Sequence, residues 1–307
     1  GIREYDYEKS ILGVNYIIDL EIVNDENLWV GTDQGVLKIN TMTDIITRFS
    51  KSDTIPDSRR LADNLIHDIL PIDDKIWVAT GSGVVIIDTS SNNVTNFSSD
   101  LIARVITQDQ DGDIWLGTEM DGLYTIPSKL YSNIINGENF EIEGYVFDPE
   151  YPNGISSSQI TCVSQDKNGM IWIGTNGGLN QYSKDEDAFI HYFVEDGLSS
   201  NYVTGIVVDD VNNLWISSKK GISFFNQIDS TFTNYGLADG IGNIDFHRHS
   251  YDDSPDGNIY FGGPLGITKV NPKDMQYNEY LPPCIITRIK KNYFDETFSE
   301  NFMVSNS

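Results

Sequence analysis

Polar and apolar residues alternate with period two along nearly the whole chain, in runs of four to seven separated by turn residues. A typical stretch reads ITCVSQDKNG, then MIWIGT, NGGLNQYS, AFIHYF and a polar connector VEDGLSSN. This predicts four short strands per unit, the first two joined by a tight hairpin at Asn-Gly or Asp-Gly. No stretch longer than a turn or two carries the 3.6-residue period of an amphipathic helix.

The unit repeats. NLWVGT ends at Thr32, KIWVAT at Thr80, DIWLGT at Thr118 and MIWIGT at Thr175, with weaker copies NLWISS ending at Ser218 and NIYFGG at Gly263. The aromatic anchors Trp29, Trp77, Trp115, Trp172, Trp215 and Tyr260 are spaced by 48, 38, 57, 43 and 45 residues, and they use all five tryptophans. A four-stranded sheet of about 40 residues cannot bury both faces alone, and stacking such sheets radially buries each against its neighbour. The expected fold is all-β: a β-propeller of four-stranded antiparallel blades. On this reading the aromatic anchor fills the gap between blades, the following Gly permits close approach, and the Thr bonds the turn.

The repeat I..I..D..G.IW.GT..GL, preceded by a connector such as DPEYPNGISSSQI, resembles the two-component-regulator propeller repeat over roughly residues 5–272, and residues 136–183 are the best copy. Blades five and six depart from it, with Ser217 and Ser218 in place of Gly-Thr and Tyr260 in place of Trp. The resemblance implies the periplasmic ligand-sensing region of a hybrid two-component sensor histidine kinase, the extracytoplasmic part of an inner-membrane protein. It also implies an oligosaccharide ligand and a homodimeric intact receptor. Propellers of that family are typically seven-bladed. Six anchors are visible, and the N-terminal REYDYEKS resembles an outermost fourth strand, so six and seven blades both stay open. The tail YLPPCIITRIKKNYF resembles the start of the Tyr-rich immunoglobulin-like domain that follows such propellers. The implied division is a propeller over 1–275, then a linker and the incomplete immunoglobulin-like domain over 276–307.

Charge narrows the partners. Lys plus Arg number 20 against 46 Asp plus Glu, a net charge of -26. Such a surface repels phosphate backbones and anionic lipid, so neither nucleic acid nor direct membrane contact is expected. No secretory signal is visible at Gly1 and no run of 18 apolar residues occurs, which points to an excised soluble region. Two cysteines, Cys162 and Cys284, make no disulfide framework, and Cys162 sits in an apolar strand pattern that suits an inert buried thiol.

Candidate chemistry is sparse. Asp109, Asp111 and Asp113 suggest a calcium loop, but its sixth and twelfth positions hold Ile114 and Met120 instead of Gly and Glu. None of His67, His191, His247 and His249 has zinc spacing. His247 and His249 would share a strand face, as a packed pair more readily than a catalytic one. Gly81–Gly83 is a turn, not a nucleophile elbow, and there is no phosphate loop. No catalytic residue, metal or cofactor is expected. The scarce basic residues are the informative ones, because connectors and the turns after the anchor strand should share one rim. Arg59, Arg60, Asn201, Tyr202, Lys219, Lys220, His247 and Arg248 form the expected ligand-binding set, with Tyr202 placed to stack on a sugar. The basic groups favour an acidic oligosaccharide slightly over a neutral one. The alternative function is a propeller enzyme, a lyase or glycosidase, and a third is a scaffold for protein contacts.

Overall fold

The computed structural model describes residues 16–275, except 98–100, 137, 139–141 and 185, together with the backbone of 288–291 and 294–297. Six antiparallel sheets follow one another around a ring. Blade one comprises β1 (Ile17–Val23), β2 (Asn27–Thr32), β3 (Gly35–Asn40) and β4 (Ile46–Phe49). Blade two has β5 (Ile66–Ile72), β6 (Lys75–Thr80), β7 (Gly83–Asp88) and β8 (Val94–Phe97). Blade three has β9 (Ala103–Gln108), β10 (Ile114–Thr118), β11 (Leu123–Ile126) and β12 (Glu143–Tyr145). Blade four has β13 (Ile160–Gln165), β14 (Ile171–Thr175), β15 (Gly178–Ser183) and β16 (Ala188–Tyr192). Blade five has β17 (Val203–Val208), β18 (Leu214–Ser218), β19 (Gly221–Asn226) and β20 (Thr231–Tyr235). Blade six shows β21 (Tyr251–Asp253), β22 (Ile259–Gly263) and β23 (Gly266–Val270). Of the two blade counts left open, the described residues show six, one for each anchor, and REYDYEKS lies outside the described residues.

The described residues up to Val270 form one compact unit. The second, from Asn271 onward, shows a hairpin of β24 (Arg288–Lys291) and β25 (Phe294–Thr297). Most of the expected immunoglobulin-like segment, including Cys284, lies outside the described residues.

The hairpin between the first two strands is built around one carboxylate. In blade three, Asp109 Oδ1 accepts from the backbone N–H groups of Asp111 and Asp113 at 3.0 Å each, closing the turn. Gly112 supplies the left-handed residue this turn needs, at φ +84°. The other oxygen, Oδ2, accepts from the indole N–H of Trp115 at 2.8 Å. Asp166 does the same for Trp172 at 3.0 Å, and Asp209 for Trp215 at 3.1 Å. The Asp109 cluster is thus structural. Lys184 from blade four reaches Asp109 at 2.8 Å and Asp111 at 2.6 Å, so an ammonium takes the place a cation would hold. Burial pushes the Asp109 carboxyl upward, but hydrogen bonds from Lys184 and Trp115 overcome it and hold the group below its ordinary range.

At the other end of the anchor strand, Thr118 Oγ1 donates to the carbonyl of Gly122 at 2.8 Å and accepts from Asp121 N–H at 2.8 Å. Thr32, Thr80, Thr175 and Ser218 repeat the donation. Blade five's Ser218 therefore conserves the hydroxyl and loses only the methyl. The preceding glycine answers a packing demand: a Cβ on Gly117 would lie 2.5 Å from Ile160 of the next blade.

All five tryptophans are essentially buried. Trp77 packs with Ile106, Ile114 and Leu116 of blade three, and Trp115 with Val163, Ile171 and Tyr182 of blade four. Trp172 packs with Ile206, Leu214 and Phe225 of blade five. The 57-residue spacing after Trp115 is explained by an insertion before β12, which includes the short helix α1 (Tyr131–Ile135). Its Tyr131 ring packs on Trp77 at 5.0 Å.

The anchor role expected for Tyr260 is met only in part. Tyr260 is half-buried, and across the seam Leu20 and Ile22 of β1 are 53% and 69% exposed. Their counterpart Ile69 in blade two is 3% exposed. Among the described residues, the faces between blade six and blade one are the ones left uncovered. Burial sets the energetics accordingly. Trp172→Ala should destabilise by about 3–5 kcal/mol through the cavity it leaves, and Tyr260→Ala by far less. Equilibrium urea unfolding of the two variants checks this, and equal losses would contradict the burial difference.

Candidate ligand-binding face

The first strand of each blade lines the axis, and a bulge interrupts its alternation near the start. The register slips between Ile17 and Asp19 in β1, Ile66 and Asp68 in β5, and across Ala103 to Val105 in β9. It slips again between Ile160 and Cys162 in β13 and between Val203 and Gly205 in β17. A bulge re-aims one side chain per strand. The residues so released are Ile18, His67, Arg104, Thr161 and Thr204, and alignment on the anchor adds His249 in blade six.

Three of these meet at the axis. Arg104 Nη1 lies 3.1 Å from His67 Nδ1. A guanidinium can only donate, so Nδ1 accepts and the proton of the neutral ring sits on Nε2. That Nε2–H is buried and has no hydrogen-bond partner. Burial, reinforced by the charges of Arg104 and His249, pushes the His67 imidazole down to about 4. Burial and the neighbouring Arg248 and Arg104 push His249 down to about 4 as well.

Above them a polar network spans the mouth. Connectors and second turns do share one rim, as expected: Glu119 N–H donates to Ile102 O at 3.0 Å, and Lys219 N–H to Tyr202 O at 3.3 Å. Glu119, on the turn after β10, pairs with Arg104 Nε at 2.5 Å and with Arg248 Nη1 at 3.4 Å. Arg248 belongs to the connector of blade six, so this carboxylate ties opposite sides of the ring. Gln159 Nε2 donates to the second Glu119 oxygen at 2.9 Å. Arg248 Nε donates to Tyr202 Oη at 2.9 Å, and its guanidinium lies 5.4 Å from the Tyr202 ring centre. Lys219 lies 5.8 Å from the same ring and pairs with Asp245 at 2.6 Å.

Below the histidines the axis turns acidic. The Ile69 amide sits 2.7 Å from Asp19 Oδ2 and 3.0 Å from Asp68 Oδ1. Asp68 Oδ2 accepts from Ile106 N–H of blade three at 2.8 Å. Burial and the Asp19 charge push Asp68 well above the ordinary carboxylate range. Burial, with Asp19 and Asp252 close by, pushes Glu21 up to about 7.

The structure brings together Tyr202, Lys219 and Arg248 from the expected set. Arg59 and Arg60 do not join them. Both lie in the turn between blades one and two, where Arg60 pairs with Asp57 at 2.9 Å and its carbonyl accepts from Asn96 on the outermost strand β8. Asn201 is engaged locally, its Oδ1 accepting from Val194 N–H at 2.8 Å. Lys220 is exposed on the turn, and His247 is exposed on the connector. The expectation that His247 and Arg248 open a strand shared with His249 is corrected. The strand begins at Tyr251, and His249 adopts φ +56°, which breaks the alternation and separates the two histidines. Cys162 is buried and free, its thiol pushed up to about 12 by burial, as suits an inert residue.

Arg104, Glu119, Gln159, His67 and His249 were missed as a set. The available signal is positional: aligned on the anchors, Arg104 and His249 both lie eleven residues upstream and His67 ten.

The two-component regulator propeller model matches residues 96–120, 154–177 and 197–220. Each window covers a connector, an axial strand, the hairpin and an anchor strand. The extracellular domain of a hybrid two-component system from B. thetaiotaomicron is similar over 95% of this chain, with a TM-score of 0.72 and 21% identity. The chain spans 39% of that structure's length. A streptogramin B lyase superposes with a TM-score of 0.58 at 13% identity, covering 87% of this chain and 86% of the lyase. Virginiamycin B lyase from Staphylococcus aureus gives 0.56 at 14% identity, over 82% of each chain. These likenesses establish the fold. No curated protein sequence matches the chain.

The depressed His67 value has a sign that can be tested. The unfolded chain takes up a proton near the ordinary imidazole value of 6.5, whereas the folded chain does so only near 4. The stability His67 contributes is complete above about pH 6.5 and falls as pH drops through that window. Relative to a His67→Gln variant, the wild-type protein should therefore lose up to about 1.4 kcal/mol per pH unit between pH 6.5 and 4. Paired urea titrations across that range check it, and a pH-independent difference would contradict the burial of a neutral ring.

Proposed function

We propose that this chain, three segments of which match the two-component regulator propeller repeat, is the ligand-sensing part of a hybrid two-component sensor histidine kinase. On this reading it is periplasmic, belongs to a receptor that is homodimeric when intact, and binds an oligosaccharide released by glycan breakdown. One solved structure similar over 95% of this chain is the extracellular domain of a hybrid two-component system. No helix among the described residues is long and apolar enough to cross a membrane.

The observation that carries the reading is the convergence of Arg104, Glu119, Gln159, Tyr202, Lys219 and Arg248 on the connector face. Loops from several blades meet there, the usual place for a ligand on a concave surface. Amide and carboxylate groups suit sugar hydroxyls, and the guanidinium groups suit a uronate or sulfate. In the structure the Tyr202 ring lies beside two cations, Lys219 and Arg248, and so organises the basic cluster.

The lyase-like alternative turns on the axial histidines. A general base needs a basic ring oriented by a carboxylate. His67 is oriented by a guanidinium, presents a donor rather than an acceptor, and is pushed down to about 4 by burial and by Arg104. This is the reverse of what base catalysis at neutral pH requires, so binding is the better reading.

Calorimetric titration of the longer ectodomain with neutral and acidic oligosaccharides tests it. For the glycan that binds, Arg248→Ala should weaken affinity by at least about ten-fold. Arg59→Ala and Arg60→Ala should leave it nearly unchanged. Unchanged affinity in Arg248→Ala would place the ligand on another face. Turnover of a glycan that disappears on changing His249 would bring the enzyme reading forward.

A further inference from the structure

Among the described residues, blade six has three strands where blades one to five have four. The difference shows at one residue. In blades one to five the third strand opens, after a turn glycine, on Val36, Val84, Leu123, Leu179 or Ile222, and each of these is wholly buried. Each pairs directly with an aromatic on the fourth strand: Phe49, Phe97, Tyr145, Tyr192 or Tyr235. Three of these rings also pack on their own blade's anchor, Phe49 on Trp29 at 5.7 Å, Tyr192 on Trp172 at 5.8 Å and Tyr235 on Trp215 at 5.9 Å. In blade six the corresponding residue, Ile267, is 76% exposed. Together with Tyr260 at the anchor position it lines a cleft of about 360 Å³. Lys269 lies 5.9 Å from the Tyr260 ring, as Lys38 lies 5.3 Å from Trp29, so β23 is set as a third strand of the usual kind. What it lacks is a fourth strand that brings an aromatic ring.

The chain after β23 does not return by the turn that the other blades use. In blades one, two, four and five that turn ends on a left-handed residue nine positions after the glycine: Asp44, Asn92, Asp187 and Ser230, at φ of +48° to +59°. Asp44 N–H donates back to Asn40 O at 2.8 Å, and Asn92 N–H to Asp88 O at 2.9 Å. Met275 holds the same place in blade six at φ −73°, and a methionine has none of the tolerance for the left-handed region that Asn and Asp have. The segment ahead of β1 does fit. Each of the first strands β5, β9, β13, β17 and β21 is preceded in the chain by the fourth strand of the blade before it, so the residues ahead of β1 belong by position to the blade across the seam. We propose that residues 3–7 pair antiparallel with β23 as the fourth strand of blade six, with Tyr7 opposite Ile267 and its ring against Tyr260. Tyr7 is followed by Glu8, Lys9 and Ser10, much as Phe49 is followed by Ser50, Lys51 and Ser52. Nine residues, 8–16, then lead to β1, against five to sixteen in the connectors between the other blades. The same segment thus covers Ile267 and ties blade six to blade one, whatever ligand the connector face binds.

Paired cysteines test the register in the full chain, with Cys284→Ser removing the one native thiol other than buried Cys162. Directly opposite residues of an antiparallel pair lie about 4.5–5.5 Å apart, within reach of a disulfide. Under mild oxidation, Asp6→Cys with Thr268→Cys should close within one chain at least about ten-fold faster than Asp6→Cys with Lys269→Cys, where a one-residue slip turns the side chains to opposite faces. Chain mass and peptide mapping read the bridge. Glu279→Cys with Thr268→Cys probes the rival, a fourth strand drawn from the residues after β23. Faster closure of that pair, equal rates for the Thr268 and Lys269 pairings with Asp6, or a bridge found only between two chains would overturn the proposal, the last by making the occupant a second copy. Hydrogen exchange reads the same contact independently. Tyr7→Ala should speed exchange of the β23 amides by about ten-fold or more while β15 and β19 keep their protection. Unchanged exchange in β23 counts against the strand. If β15 and β19 lose protection as well, the variant has unfolded and the cysteine pairs decide.

Discussion

A single hydrogen bond, from an indole N–H to a turn aspartate, joins the two things each blade must do. A flat aromatic has to be buried between sheets, which takes its one polar atom out of water. The hairpin that precedes it has to close tightly, which demands an acceptor for two backbone amides. In blades three to five one carboxylate does both, and Asp109, Asp166 and Asp209 are themselves nearly buried. Blades one and two lack it, because Val23 and Ile72 stand at the equivalent positions. Trp29 Nε1 is left without a partner as a result. The three family-model matches fall on the three blades that have the aspartate.

The fold was legible because it repeats. An alternation of period two, an anchor and a turn glycine each carry little information once, but six aligned copies leave few architectures that bury all of them. The site was legible only at its rim. Tyr202, Lys219 and Arg248 stand out as rare basic and aromatic groups in connectors. His67, Arg104 and His249 do not, because their orientation comes from a bulge, and a bulge is a property of two paired strands, not of one. Counting alternation from the anchor assigns them to the wrong face. Glu119 is hidden differently, as one acid among 46 Asp and Glu, informative only once Arg104 and Arg248 are seen on either side of it. Arg59 and Arg60 are the converse case. They are conspicuous in sequence, yet acids in the same connector claim Arg60 before any ligand does.

The electrostatic layout follows from this arrangement. The bulge residues come early in the axial strands, next to the connector rim, so cationic and donor groups collect at the mouth. The positions that follow, Asp19, Asp68 and Glu21, lie deeper and are acidic. Burial, with Asp19 close by, raises Asp68 and Glu21 above their ordinary range. With its carboxyl pushed up to about 7, Glu21 carries less than a full charge at neutral pH, which weakens the negative field of the floor. The surrounding surface is strongly negative and repels anions in general. Attraction is then confined to the few ångströms where Arg104, Arg248 and Lys219 outweigh it, within roughly one screening length of about 8 Å at physiological salt. A small free anion gains little from so short-ranged a field. A group carried on a larger, otherwise neutral molecule can be held there while the rest of that molecule contacts the polar rim. The positive field of this face is therefore local, set by Arg104, Arg248 and Lys219 and confined to the mouth of the axis.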